Sequence, residues 1–200
     1  MKHNLQIDRI LFELNRGHYI ILSDTENRSD ILFSATEAIN EKTFNFHKKF
    51  SRSFPNILLS PERCETLNIK TDYCCSLTID SKWTTDEIYN IAFGNSSNTD
   101  LKLNGIIEEK SKLMNLSLKI LKKGKLLPSG IFSIINNSQN IAIDQLAIKN
   151  KMFCINVSEI GKEFDEKKSN VEIIARAKLP IKKTRDAEII VFKYNNEPKD

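Results

Sequence analysis

Apolar residues at Ile7, Ile10, Leu11 and Leu14 recur at the spacing of one helix face, so an amphipathic helix should open the chain. Arg16-Gly17 ends it, because glycine readily takes the left-handed conformation that closes a helix. Residues 19–22 form an apolar run that reads as a buried strand, and residues 31–35 read as a second extended piece. Between them lies a short charged stretch, Ser23-Asp24-Thr25-Glu26-Asn27-Arg28-Ser29-Asp30. Loops held between rigid strands are where proteins place reacting or ligand-holding groups, so this stretch is the first candidate for chemistry.

Further along, Phe44, Phe46 and Phe50 lie near a helical stripe over residues 40–50, with Asn40 as its N-cap. Residues 55–59 read as a short buried strand. Ser60-Pro61-Glu62 then opens a helix with a serine cap, a proline at the first position and an acid next, running to about Leu67. Residues 75–79 alternate like a strand, and Thr84 or Thr85, followed by Asp86 and Glu87, starts a helix to about Phe93. Residues 94–98 read as a loop. Residues 101–127 fit either a helix followed by strands or one long basic amphipathic segment. Beyond Gly130 the pattern predicts a strand over 131–135, a turn over 136–138, a helix over 141–148, a strand over 152–157, a helix over 171–177 and a final strand over 188–192. Helices and strands alternate irregularly, which predicts an α+β domain around a mixed sheet over residues 1–194, with a polar tail at 195–200.

Composition narrows the class. At 200 residues and 40% hydrophobic content the chain can bury a proper core, and 28% charged residues mark an ordinary globular protein. A formal net charge of +4 fits an anionic small ligand as well as nucleic acid. Cys64, Cys74, Cys75 and Cys154 form no C-x-x-C pair and no zinc-type spacing, so the thiols are expected to stay reduced in a cytoplasm. No apolar run approaches the ~20 residues that cross a bilayer, and the N-terminus lacks the apolar core of a signal peptide.

The charged stretch also carries a resemblance. Ser23-Asp24-Thr25-Glu26-Asn27-Arg28, then Ser29, then Asp30-Ile31-Leu32, resembles the V-D-D-E-D-R-E-N-E-G-D-L signature of 3,4-dihydroxy-2-butanone 4-phosphate synthase, a riboflavin-pathway family. Residues 51–63, closing on Ser60-Pro61-Glu62-Arg63, resemble its G-R-G-L-I-C-V-A-L-T-x-E-R. Ser76-Leu77-Thr78-Ile79-Asp80 with Thr84-Thr85 resembles T-V-S-I-D and T-T. Ala142-Ile143-Asp144 resembles A-V-D-L, and the run closing on Ser158-Glu159-Ile160 resembles G-V-I-C-E-I. Asp186-Ala187-Glu188-Ile189-Ile190 fits the family's last strand.

The resemblance implies the synthase fold, a homodimer, and conversion of D-ribulose 5-phosphate to formate and a four-carbon phosphate with magnesium. Such chemistry needs a divalent cation to polarise sugar oxygens, carboxylates to move protons, and cationic groups for the phosphate. On the matching positions, Asp30 and Glu159 would be the catalytic acids, and Arg28, Arg52, Thr84 and Thr85 would bind substrate. The departures fall on the metal. Ser29 stands where the family has its metal-binding glutamate, the next three residues N-E-G are absent, and Ser138 stands where it has its ligand histidine. Ile135 replaces an arginine and Asn56 a cysteine, and the G-H-V-F-P-L histidine has no counterpart near residues 120–127. The three histidines, His3, His18 and His47, fit none of the missing positions.

Serine is a poor magnesium ligand, so the resemblance with these losses implies a degenerate active site, with no cofactor expected. Such a chain would bind a sugar phosphate, pair with itself, or pair with an active paralogue or another riboflavin-pathway enzyme. An active magnesium enzyme would need a rearranged site, with Asp24, Glu26 and Glu159 as its ligands. A third reading is a basic module for an acidic partner or nucleic acid, built on Lys110, Lys112, Lys119, Lys122, Lys123 and Lys125. Such a run is more often a solvated face over a core, which disfavours nucleic acid.

Overall fold

A computed structural model describes residues 2–50, 54–94, 105–135, 143–164, 170–181 and 184–195. In chain order the elements are α1 (Lys2–Asn15), β1 (Ile20–Asp24), β2 (Ser29–Ala35), α2 (Glu41–Phe50), β3 (Asn56–Leu59), α3 (Pro61–Thr66), β4 (Cys74–Thr78) and α4 (Thr85–Phe93). They continue with β5 (Ile106–Glu109), α5 (Lys112–Lys123), β6 (Ser129–Ile134), α6 (Ile143–Lys149), β7 (Phe153–Asn156), α7 (Val157–Ile160), β8 (Asn170–Ile181) and β9 (Thr184–Asn195). The chain divides into two compact units, Met1–Phe164 and Asp165–Asp200, and the stretch 1–194 read as one domain spans both.

The first unit is built on a seven-stranded sheet in the order β5-β4-β3-β6-β2-β1-β7. The β1–β7 pair is parallel and the remaining pairs are antiparallel, so the sheet is mixed. Both faces are covered, which explains the continuous apolar runs of β1 and β2: each alternate side chain meets a helix layer. On one face Ile20, Leu22, Ile31 and Phe33 pack with Ile7, Ile10 and Leu14 of α1 and with Leu113, Leu118 and Leu121 of α5. On the other, Ile21 and Leu32 pack with Phe46 and Phe50 of α2 and Ala147 of α6. Farther along that face, Ile57, Leu59 and Leu77 pack with Phe44 of α2, Cys64 of α3, and Ile88 and Ile91 of α4. The result is an α/β sandwich of α+β class, as the pattern predicts.

The helix starts follow the sequence. Asn40 Oδ1 accepts the Thr43 amide at 3.0 Å, and Ser60 Oγ accepts the Arg63 amide at 3.3 Å ahead of Pro61. Thr84 forms a reciprocal capping box with Glu87.

Two assignments change. Residues 106–123 hold a strand and then a helix, β5 followed by α5, which is neither the helix-then-strands order nor the single long amphipathic segment that the pattern allows. Ser111 marks the join by accepting the Met114 amide at 3.2 Å. In the second unit, residues 171–177 are strand and not helix, paired antiparallel with β9. Ala175, Ala177 and Leu179 alternate with Arg176 and Lys178, a period of two, and the register shift between Ile173 and Ala175 interrupts it. Residues 136–142, including the predicted turn and the Ser138 position, lie outside the described residues, as do Arg52, residues 95–98 and residues 196–200.

Candidate functional site

Strand β1 ends on Asp24, which is only 4% exposed. Its carboxylate accepts the Asn27 amide at 3.1 Å and the Asn27 side-chain NH2 at 2.8 Å, an Asx-type turn that fixes residues 25–28. Arg28 closes the turn with φ 51°, a left-handed conformation, and its side chain is exposed, as is that of Glu26. Antiparallel pairing of β1 and β2 then sets Ser23 opposite Asp30. The Ser23 hydroxyl donates to Asp30 Oδ1 at 2.6 Å.

The parallel neighbour β7 completes the constellation. Ser23 is in register with Asn156, the last residue of β7 and the N-cap of α7. Asn156 Oδ1 accepts from the Ser158 amide at 3.0 Å and the Ser158 hydroxyl at 2.8 Å. Its NH2 donates to Thr25 Oγ1 at 2.8 Å, which ties the turn to the start of α7. Glu159, exposed on α7, accepts the Gln6 amide NH2 of α1 at 3.1 Å, while Gln6 Oε1 is buried without a partner.

One electrostatic observation joins these groups. The Cys154 thiol on β7 is pushed up to about 12, first by burial and then by the negative charges of Asp144, Asp30 and Glu159, with a hydrogen bond to Asp144 adding to the shift. Asp30 and Glu159, 129 positions apart by their numbers, both contribute to raising that thiol's pKa. Asp144 and Cys154 lie near the same place; the sequence sets both within synthase-like motifs without marking either as a site residue. The Asp144 signal was available, since it closes the Ala142-Ile143-Asp144 motif.

The other residues predicted for the site are placed elsewhere or not described. Thr84 and Thr85 stand at the start of α4, which packs on β3 and the short turn at Thr36–Ala38. The Thr84 side chain is engaged with Glu87, accepting its amide at 3.2 Å and donating to its Oε2 at 3.0 Å. A cavity of about 590 Å³ opens beside α3, among Pro61, Glu62, Glu65, Asn68, Lys70 and Asp72, and includes none of the predicted site residues. Three of the six lysines of the basic segment are engaged. Lys110 pairs with Glu108 at 3.4 Å, Lys122 with Glu62 at 3.2 Å, and Lys123 lies over the Phe164 ring at 5.1 Å.

No family model and no curated protein matches this sequence. Solved structures do. A two-domain 3,4-dihydroxy-2-butanone 4-phosphate synthase from A. baumannii matches at 14% identity and TM-score 0.60, over 96% of this chain and 67% of that one. The synthase of Candida albicans matches at 17% identity and TM-score 0.56, over 80% of this chain and 97% of that one. A synthase in complex with two magnesium ions matches at 11% identity and TM-score 0.62, with the same two coverages, 80% and 97%.

The fold is that of 3,4-dihydroxy-2-butanone 4-phosphate synthase. At these identities the likeness is one of fold, and it agrees with the order of the synthase-like motifs along the chain. Magnesium is implied by that fold, so the donor set decides whether this chain suits it. Among the described residues, no group of three or more His, Cys, Asp or Glu is arranged to hold a metal ion. Ser29, at the position of the synthase signature's glutamate, opens β2 opposite Asp24 in the ladder. Magnesium seeks near-octahedral oxygen ligation, usually through one or two carboxylates with waters and substrate. Among the described residues, no such set is assembled.

Proposed function

We propose that this chain is a divergent relative of 3,4-dihydroxy-2-butanone 4-phosphate synthase that binds a phosphorylated sugar and has lost most of the formate-releasing reaction. The observation that carries the reading is the joining of β1, β2 and β7 by the Ser23–Asp30 and Asn156–Thr25 hydrogen bonds around the Arg28 turn, in a synthase fold whose signature glutamate position is Ser29. Arg28, exposed at the turn, would meet the phosphate, and Asp30, Glu159, Thr25 and Asn156 would offer oxygens and amides to the sugar hydroxyls. Arg52 matches the family as a second phosphate group. A homodimer goes with the fold, and the four free thiols go with a reducing cytoplasm.

A metal acting on a carbonyl contributes several kcal/mol of transition-state stabilisation, and each ~1.4 kcal/mol is a factor of ten in rate. Formate release from ribulose 5-phosphate with magnesium should therefore run at least about a thousandfold below an intact synthase. The test is a formate assay beside calorimetric titration of ribulose 5-phosphate without metal. Binding without turnover is expected. Turnover at synthase rates, or no binding, would sink the reading.

A further inference from the structure

We propose that one face of the β8–β9 ribbon is the docking surface for a second copy of this chain. The proposal concerns the second unit, so it stands apart from the sugar-phosphate reading and from any pairing made by the first unit. Cross-strand partners share a face of a ladder. One face therefore carries Ala175 with Val191, Ala177 with Ile189, and Leu179 with Ala187. Leu179, Ile189 and Val191 are 39%, 47% and 45% exposed. Lys193 lies two positions beyond Val191 on β9, so it and its ladder partner Glu172 extend the same face toward the open end of the ribbon. The opposite face sets Arg176, Lys178 and Glu188 among its apolar residues, with Arg176 at 3.9 Å from Glu188.

The occupant follows from size and charge. Each apolar level sets an alanine beside a valine, an isoleucine or a leucine. A twofold axis parallel to the strands, lying between two stacked ribbons, sets β8 of one copy over β9 of the other. Ala175 then meets Val191 of the second copy, Ala177 meets its Ile189, and Leu179 meets its Ala187. Small residues facing large ones let two sheets interdigitate across the roughly 10 Å between them. The same axis brings Glu172 of each copy to Lys193 of the other, so the face complements itself in charge, as a twofold contact requires. Docking also gives a two-stranded ribbon, marginal in water alone, a covered side. Six apolar residues make a face that is small beside the ~1,200 Å² at the low end of stable interfaces, so the association is weak and depends on concentration.

The test is sedimentation velocity of the full chain over a concentration series reaching the millimolar range. Wild type should associate as concentration rises. Ile189→Lys should weaken that association by about tenfold or more, since it puts a charge among apolar side chains. Glu172→Lys and Lys193→Glu should each associate several-fold more weakly than wild type, because like charges then face each other between copies. Mixed in equal amounts, these two variants should recover wild-type association. Every charge pair between the copies is then opposite in sign, while the ladder pair within each chain stays like-charged, so the recovery reports a contact between copies even if Ile189→Lys unfolds the ribbon. Wild type that stays monomeric overturns the proposal, and so does an association that none of the variants changes. Charge variants that weaken association but do not recover on mixing overturn it as well. So does an Ile189→Lys chain that loses urea stability equally at all concentrations with association unchanged, because the cover would then come from the same chain.

Discussion

His47 has no exposed surface, and its ring nitrogens meet Ser34 Oγ at 2.8 Å and Ser133 Oγ at 2.9 Å. A neutral imidazole offers one donor and one acceptor, so one ring satisfies hydroxyls on two adjacent strands, β2 and β6. Burial pushes its pKa down to about 3, against 6.5 for an ordinary histidine. The folded protein therefore refuses a proton that the unfolded chain accepts. Above pH 6.5 both states are neutral and nothing is lost; as pH falls from 6.5 toward 3, stability drops by up to ~1.4 kcal/mol per pH unit. Urea unfolding at several pH values between 7 and 5 should show this slope in wild type. His47→Gln should be less stable at pH 7 and should lose the His47 share of the slope. An unchanged slope would mean that the ring is protonated in the fold. The sequence shows only a histidine on a helix rich in lysine and phenylalanine, because its serine partners lie 13 and 86 positions away.

Helix ends carry the clearest lesson at the scale of elements. Four helices close on a left-handed residue: Gly17, Asn68, Lys125 and Lys151. Each is followed by an amide that reaches back to the helix, as in Leu126 N–H to Leu121 O at 3.0 Å and Met152 N–H to Ala147 O at 2.9 Å. Gly17 and, more weakly, Asn68 announce their helix ends in the sequence, whereas the two lysines do not. A side chain in this conformation costs roughly 1–2 kcal/mol, and glycine gives back part of that gain through its floppier unfolded chain. Lys125→Gly and Lys151→Gly should each stabilise the protein by about 0.5 kcal/mol in denaturant titrations. Thr84→Ala should act in the opposite direction, costing about 1 kcal/mol by removing the capping box of α4. If Thr84 contacts the sugar instead, the same variant would weaken ribulose 5-phosphate binding, a readout that cap loss alone should leave alone. The inner strands are readable from sequence because burial on both faces leaves unbroken apolar runs. The β8 strand is not, because Ala, Arg, Lys and Glu favour helix locally and only the pairing with β9 overrides them. In the candidate site, Asp30, Glu159 and Asp144 stand at motif positions, whereas Cys154 joins only through the β1–β7 pairing.

Across the whole molecule, the two units rest on different physics. Residues up to Phe164 enclose a seven-stranded sheet between helix layers, with some of the largest side chains, such as Phe33, Leu58 and Ile79, at or near zero exposure. The second unit is a ribbon of two 12-residue strands, and Ile173, Ile174, Leu179, Ile189, Val191 and Phe192 remain exposed on it. A two-stranded hairpin is marginal in water by itself, because neither of its faces is enclosed. A chain ending at Phe164 should therefore still unfold cooperatively in urea, with an m-value reduced roughly in proportion to the residues removed. A peptide of residues 165–200 should show little stable strand signal by circular dichroism at low concentration. Loss of cooperative unfolding in the shorter chain would show that the ribbon supplies part of the first unit's core, and a stably folded peptide would show that the ribbon encloses enough apolar surface unaided. If both outcomes are as predicted, the sheet that positions Asp30 and Glu159 is the part of the chain that folds by itself, and the candidate site should keep its sugar-phosphate affinity without the ribbon.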